Sequence, residues 1–191
     1  MVRDLPILLF ATQADWLQWL EEQHALSAGI WMKIAKKESG QASVSYQEAL
    51  DVALCFGWID GQKGKFDEQF WLQKFTPRRK KSAWSRINRE KIEVLIAQGK
   101  MREAGLREVE AAKADGRWER AYASQRMMTI PEDFQKALDE HPEAQAFFAQ
   151  LNSANRYAFL YRITTAKKSE TRQKRIETFI AMLSAKKKLH E

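Results

Sequence analysis

The chain has 191 residues, long enough for one compact domain with a sizeable core or for one domain with a small helical extension. Apolar residues make up 45% and charged residues 30%, the balance of an ordinary globular protein and not of a disordered one. The net charge of +7 is unevenly placed: residues 77–91 hold seven cations and one anion (+6), residues 101–150 are at −3, and residues 166–191 are at +5. Two basic patches flanking an acidic middle favour anionic partners through long-range attraction, without saying which.

Six of the seven tryptophans fall in the first 84 residues and the C-terminal third has none, a first sign of two regions. The single cysteine, Cys55, excludes an internal disulfide and gives no hint of an oxidising compartment. The N-terminal apolar run, Leu5 to Ala11, is short, is interrupted by Pro6 and leads into a helix start, so it makes a poor signal peptide. No segment approaches the roughly 20 apolar residues of a membrane span, and a cytoplasmic protein is expected.

In chain order, Thr12 with Asp15 predicts a capped helix whose apolar face is Trp16, Leu17, Trp19 and Leu20. After Gly29, Ile30, Met32 and Ile34 alternate with Trp31, Lys33 and Ala35, the period-two pattern of a strand. Ser45 and Glu48 match a capping box and open a strongly apolar helix that should be buried and should stop at Gly57. GWIDGQKGK then carries three glycines, which point to backbone conformations closed to other residues. FWLQKFT, from Phe70 to Thr76, alternates again as a strand that Pro77 ends.

Beyond the basic loop, Ser82 or Ser85 could cap a helix running to Gly99, and a further helix spans roughly residues 102–114. Trp118 and Tyr122 follow as packing anchors, and Gln125 to Thr129 reads as a connector. Pro131 and Pro142 suit first helical turns, with Ser153 and Ser169 as caps for the last two helices. The fold class expected is α+β. A small antiparallel sheet packs with helices over about residues 1–125, and a helical region covers about 130–191.

Metal binding has little support, because His24, His141 and His190 are far apart and none sits beside a second ligand. No metal and no cofactor are expected. Cys55 lies in the most apolar helix, where a thiol is ordinarily a small buried hydrophobe. No phosphate-binding GxxxxGKS loop and no GxSxG elbow occur.

The richest constellation joins WIDGQ, FWLQKF and TPRRKKSAWS. If these converge at one edge, they gather Trp58, Asp60, Gln73, Arg78, Arg79 and Trp84 as a ligand-binding set. Arginine forks grip carboxylate or phosphate, and tryptophan faces stack on planar groups. The competing reading has Asp60 pair with Arg78 or Arg79 to pin the loop while the tryptophans fill the core.

CFGWIDGQ (residues 55–62), LQKFTPRRKKSAWSRIN (72–88), AAKADGRW (111–118) and TTAKKSETRQKRIETFIAMLSAKKK (164–188) together resemble the YdeI/OmpD-associated proteins, the bacteriocin-protection family. The resemblance runs in order over nearly the whole chain. It implies a part in resistance to bacteriocins or antimicrobial peptides, and its name implies association with an outer-membrane porin. It maps no catalytic residues onto this chain.

Three functions are therefore carried forward. The first is a non-enzymatic stress or resistance factor binding an anionic small molecule or protein partner at the WIDG/FTPRR edge. The second is non-specific nucleic-acid binding through the two basic patches. The third is an enzyme on a small anionic substrate, with Asp60 as general base and Arg78 and Arg79 as the anion clamp.

Overall fold

The computed structural model describes residues 5–123 and 128–190, so residues 125–127 of the expected connector lie outside it. The chain divides into two compact units. One runs to Trp84 and resumes over Asn88–Glu119; the other comprises Ser85–Ile87 and the chain from Arg120.

The first unit is built on a four-stranded sheet of β1 (Ile7–Leu9), β2 (Ile30–Ala35), β3 (Trp58–Lys65) and β4 (Phe70–Pro77), in the order β1-β2-β4-β3. The fold class is α+β as expected, but the sheet is mixed. β1 runs parallel to β2, while β2–β4 and β3–β4 are antiparallel. The short apolar run after Pro6, too brief to show periodicity, is thus an edge strand.

Helices α1 (Gln13–Gln23) and α2 (Tyr46–Cys55) both start in full capping boxes, Thr12 with Asp15 and Ser45 with Glu48. Each box satisfies backbone N–H groups that the first helical turn would otherwise leave unpaired. Both helices serve one face of the sheet. Trp16 is fully buried there, its Nε1 donating to Ala49 O at 3.0 Å, its ring 5.8 Å from Phe75 and 6.2 Å from Trp58. Burial pushes the Cys55 thiol up to about 11, so it is a protonated core group near neutrality.

Helices α3 (Arg86–Ala97) and α4 (Glu103–Ala114) follow. The Lys91 Nζ–Asp51 pair at 2.5 Å ties α3 to α2, and Gly99, at φ +66°, ends the turn after α3 as anticipated.

The second unit holds α5 (Glu132–Asp139), α6 (Pro142–Gln150), α7 (Ser153–Thr164) and α8 (Ser169–Ser184). Its core is phenylalanine-based: Phe134, Phe148, Phe159 and Phe179 meet nearly edge to face. Pro142 occupies the first turn of α6. The caps of the last two helices differ from expectation. Asn152, not Ser153, accepts the backbone bond that starts α7, and α8 has Lys168 at its cap position with no side-chain bond. Asparagine caps as well as serine does, so the one-residue shift costs the helix nothing. Among the described residues no helix is long and apolar enough to cross a membrane.

Candidate functional site

The glycine-rich segment, which shows no strand pattern in the sequence, is β3. Of its glycines only Gly57, just before the strand, has a positive φ (+73°), and a Cβ there would lie 2.9 Å from the Glu108 side chain. Gly61 and Gly64 lie within the strand, and the irregularity they permit is a bulge between Asp60 and Lys63. The bulge frees backbone carbonyls, and Gln73 answers them. Its buried Nε2 donates to Gly61 O at 3.0 Å and to Gln62 O at 3.3 Å. Gln73 is thus engaged in holding the strand pair together.

Because β3 and β4 are antiparallel, the start of WIDGQ lies beside the end of FTPRR. Trp58 pairs with Pro77, and Arg78 N donates to Gly57 O at 3.0 Å. The two segments do adjoin. Their side chains, however, divide among several tasks. Trp58 points into the tryptophan core, with Nε1 donating to His24 O at 3.1 Å. Asp60 Oδ2 accepts from Tyr46 Oη at 2.8 Å. Burial first, and then the neighbouring Asp60 charge, raise the Tyr46 pKa far above its usual value, so the phenol stays a donor. The competing reading pairs Asp60 with Arg78 or Arg79; the hydrogen bond to Asp60 comes instead from the first residue of α2.

Arg78 is 7% exposed, its guanidinium stacked 3.5 Å from the centre of the Trp84 ring, with Nη1 donating to Ala83 O at 3.3 Å. Trp84 in turn meets Trp118 edge to face at 5.1 Å. Its buried Nε1 has no hydrogen-bond acceptor among the described residues. A second buried arginine completes the brace. Arg117 Nη1 donates to Ser82 O at 3.2 Å, while its Nε is held by Asp115 at 2.6 Å. Inside the loop, Ser82 N donates to Arg79 O at 2.8 Å and Arg79 N to Ser82 Oγ at 3.2 Å.

The backbone from Arg78 to Trp84 is therefore pinned from below, while Arg79, Lys80 and Lys81 are exposed. A braced loop presents its cations without first having to order its backbone, which lowers the entropic cost of taking up an anion. Of the six expected site residues, the structure brings Arg78 and Trp84 together, sets Arg79 on the surface beside them, and gives the other three separate partners: His24 at the end of α1 for Trp58, Tyr46 of α2 for Asp60, and the β3 carbonyls for Gln73. Sequence reasoning missed Arg117, Asp115 and Tyr46. Arg117 acts 35 residues from its target and Tyr46 14 residues from Asp60, separations at which no local spacing signal exists. Among the described residues no cluster of three or more His, Cys, Asp or Glu could hold a metal ion.

The fold and this loop define an α+β protein with a braced basic surface loop and a helical C-terminal unit. Residues 8–108, more than half of the chain, match the family described as domain of unknown function DUF8412, and the chain belongs to that family. Residues 127–186 match the family described as bacteriocin-protection, YdeI or OmpD-associated. That match covers nearly all of the C-terminal block of the resemblance, whereas the CFGWIDGQ and LQKFTPRRKKSAWSRIN blocks lie in the DUF8412 range. Neither the curated proteins nor the solved structures give a match.

Proposed function

We propose that this chain is a non-catalytic cytoplasmic resistance factor, of the bacteriocin-protection kind its C-terminal family description names, that binds an anionic small molecule or protein partner through the FTPRR loop. The observation that supports this reading is the division of labour among the loop's cations. Arg78 is stacked on Trp84 and builds the loop; Arg79, Lys80 and Lys81 are exposed on a backbone that Arg117 also holds. Bidentate or clustered cations on a rigid frame suit carboxylate and phosphate groups.

The test is a thermal-shift screen of the full chain against inorganic pyrophosphate, nucleotides and a short acidic peptide, repeated with Arg79→Ala/Lys80→Ala/Lys81→Ala. At least one anion should raise the melting temperature of the wild type and lose that effect in the triple variant. Anion stabilisation that survives the triple substitution contradicts the loop as the site.

A further inference from the structure

The sheet has two unlike faces. One is covered by α1 and α2; the other has no helix against it among the described residues and presents Ile7 and Leu9 from β1, Trp31 and Lys33 from β2, and Lys74 from β4, with Leu72 and Phe70 of β4 buried on the same face. Ile7 and Leu9 are 45% and 48% exposed, and Phe66, in the turn after β3, is 42% exposed. Antiparallel pairs tolerate one solvated face, but such a face is normally polar at its outward positions. This one alternates rings and aliphatics with lysines.

The geometry is that of a platform. A Cβ placed on Gly64 would sit 3.7 Å from Cζ3 of Trp31 and 3.5 Å from Leu72 Cβ. The Trp31 indole therefore reaches from β2 across β4 towards β3, lying along the sheet and not standing off it, and Gly64 leaves it room. Two cations lie over the rings: Lys33 Nζ is 4.4 Å from the Phe66 ring centre, and Lys74 Nζ is 5.6 Å from that of Trp31, each on a flexible stem that a stacking base can displace. No strand position on this face holds a carboxylate. In the adjoining turn, Asp67 Oδ1 is engaged by the Gln69 and Phe70 amides, and Glu68 is exposed.

We propose that this open face binds a single-stranded nucleic acid, with bases stacking on Trp31 and Phe66 and backbone phosphates meeting Lys33 and Lys74. The surface is separate from the FTPRR loop, and the proposal does not depend on the function assigned to that loop. Flat rings flanked by lysines are what sequence-tolerant single-strand binding uses, because every base has a stacking face and every linkage a charge. A four-stranded sheet offers room for about two or three stacked bases. A peptide joining as an extra strand fits less well. The β3 edge is bulged between Asp60 and Lys63 and carries Lys63 and Lys65, features that discourage strand addition.

Fluorescence anisotropy of a labelled oligouridylate, titrated with the full chain at moderate salt, tests this. Lys33→Glu/Lys74→Glu changes only partly exposed charges and should weaken binding by about tenfold or more, with its circular dichroism melt confirming an intact fold. Trp31→Leu should weaken it by a similar factor, and a duplex of equal length should bind less well. Arg79→Ala/Lys80→Ala/Lys81→Ala should weaken binding less than Lys33→Glu/Lys74→Glu does. Absence of oligouridylate binding overturns the proposal, as does unchanged affinity in Lys33→Glu/Lys74→Glu, equal affinity for the duplex, or a larger loss from the loop variant. Binding to phosphatidylglycerol vesicles without oligouridylate binding would also overturn it, in favour of a lipid surface.

Discussion

The two basic segments of this chain carry similar charge and use it differently. In the FTPRR loop one arginine is buried to build the turn and three cations are left at the surface. In the C-terminal segment Arg172 and Arg175 are engaged within their own helical unit, while Lys167, Lys168, Lys174, Lys186, Lys187 and Lys188 are exposed. Arg172 grips Asp133 through Nε and Nη2 at 2.6 and 2.7 Å and donates to Ile163 O at 3.0 Å, and Arg175 donates to Arg162 O. Charge totals of +6 and +5 hide this contrast. A cation whose donors are engaged by its own fold has little left for a ligand; exposed lysines are more numerous in the C-terminal segment, and the loop differs by setting three consecutive exposed cations on a braced backbone.

The sharpest break between building and presenting cations is Arg78. Arg78→Ala removes the plate lying on Trp84 and leaves the Ala83 carbonyl without its donor, and should destabilise the first unit by about 2–4 kcal/mol in urea unfolding. Arg78→Lys should recover little, because an ammonium cannot reproduce the planar stack. A loss below about 0.5 kcal/mol would place Arg78 among the idle surface cations.

A smaller effect is expected at Asp133. Its hydrogen bonds from Arg172 hold the carboxyl below the ordinary carboxylate range, so the pair stabilises the fold above that range and the gain is lost as pH falls through it. The Asp133 side chain is 44% exposed, so Asp133→Asn should cost no more than about 1 kcal/mol at neutral pH. The gap between wild type and variant should narrow as the solution is acidified. A gap that widens in acid would contradict the pairing.

The smallest stability change belongs to Arg79→Ala/Lys80→Ala/Lys81→Ala. Urea unfolding should stay within about 0.5 kcal/mol of wild type, because these side chains are exposed and brace nothing. A large loss would erase the distinction between Arg78 and its neighbours.

What could be read in the sequence was local. Both capping boxes, the β2 and β4 alternation and the buried α2 helix follow from spacings of two to four residues. β3 was hidden because its glycines look like loop residues, although the ladder with β4 and the Gln73 side chain support them in a strand. β1 has three residues, too few for a pattern, and its pairing is decided by β2. At the candidate site, the adjacency of WIDG and FTPRR is only a condition in the sequence, and the β3–β4 ladder supplies it. The division between Arg78 and Arg79 could not be anticipated, because it depends on Trp84, Trp118 and Arg117 assembling from distant parts of the chain.

The most direct test of that division is an amide chemical-shift titration of the full chain with inorganic pyrophosphate. The largest shifts should fall on the amides of Arg79, Lys80, Lys81 and Ser82 and should vanish in Arg79→Ala/Lys80→Ala/Lys81→Ala. Shifts spread evenly over Lys167, Lys168 and Lys186–Lys188, or absent from the loop, would show that both basic segments act only as diffuse charge.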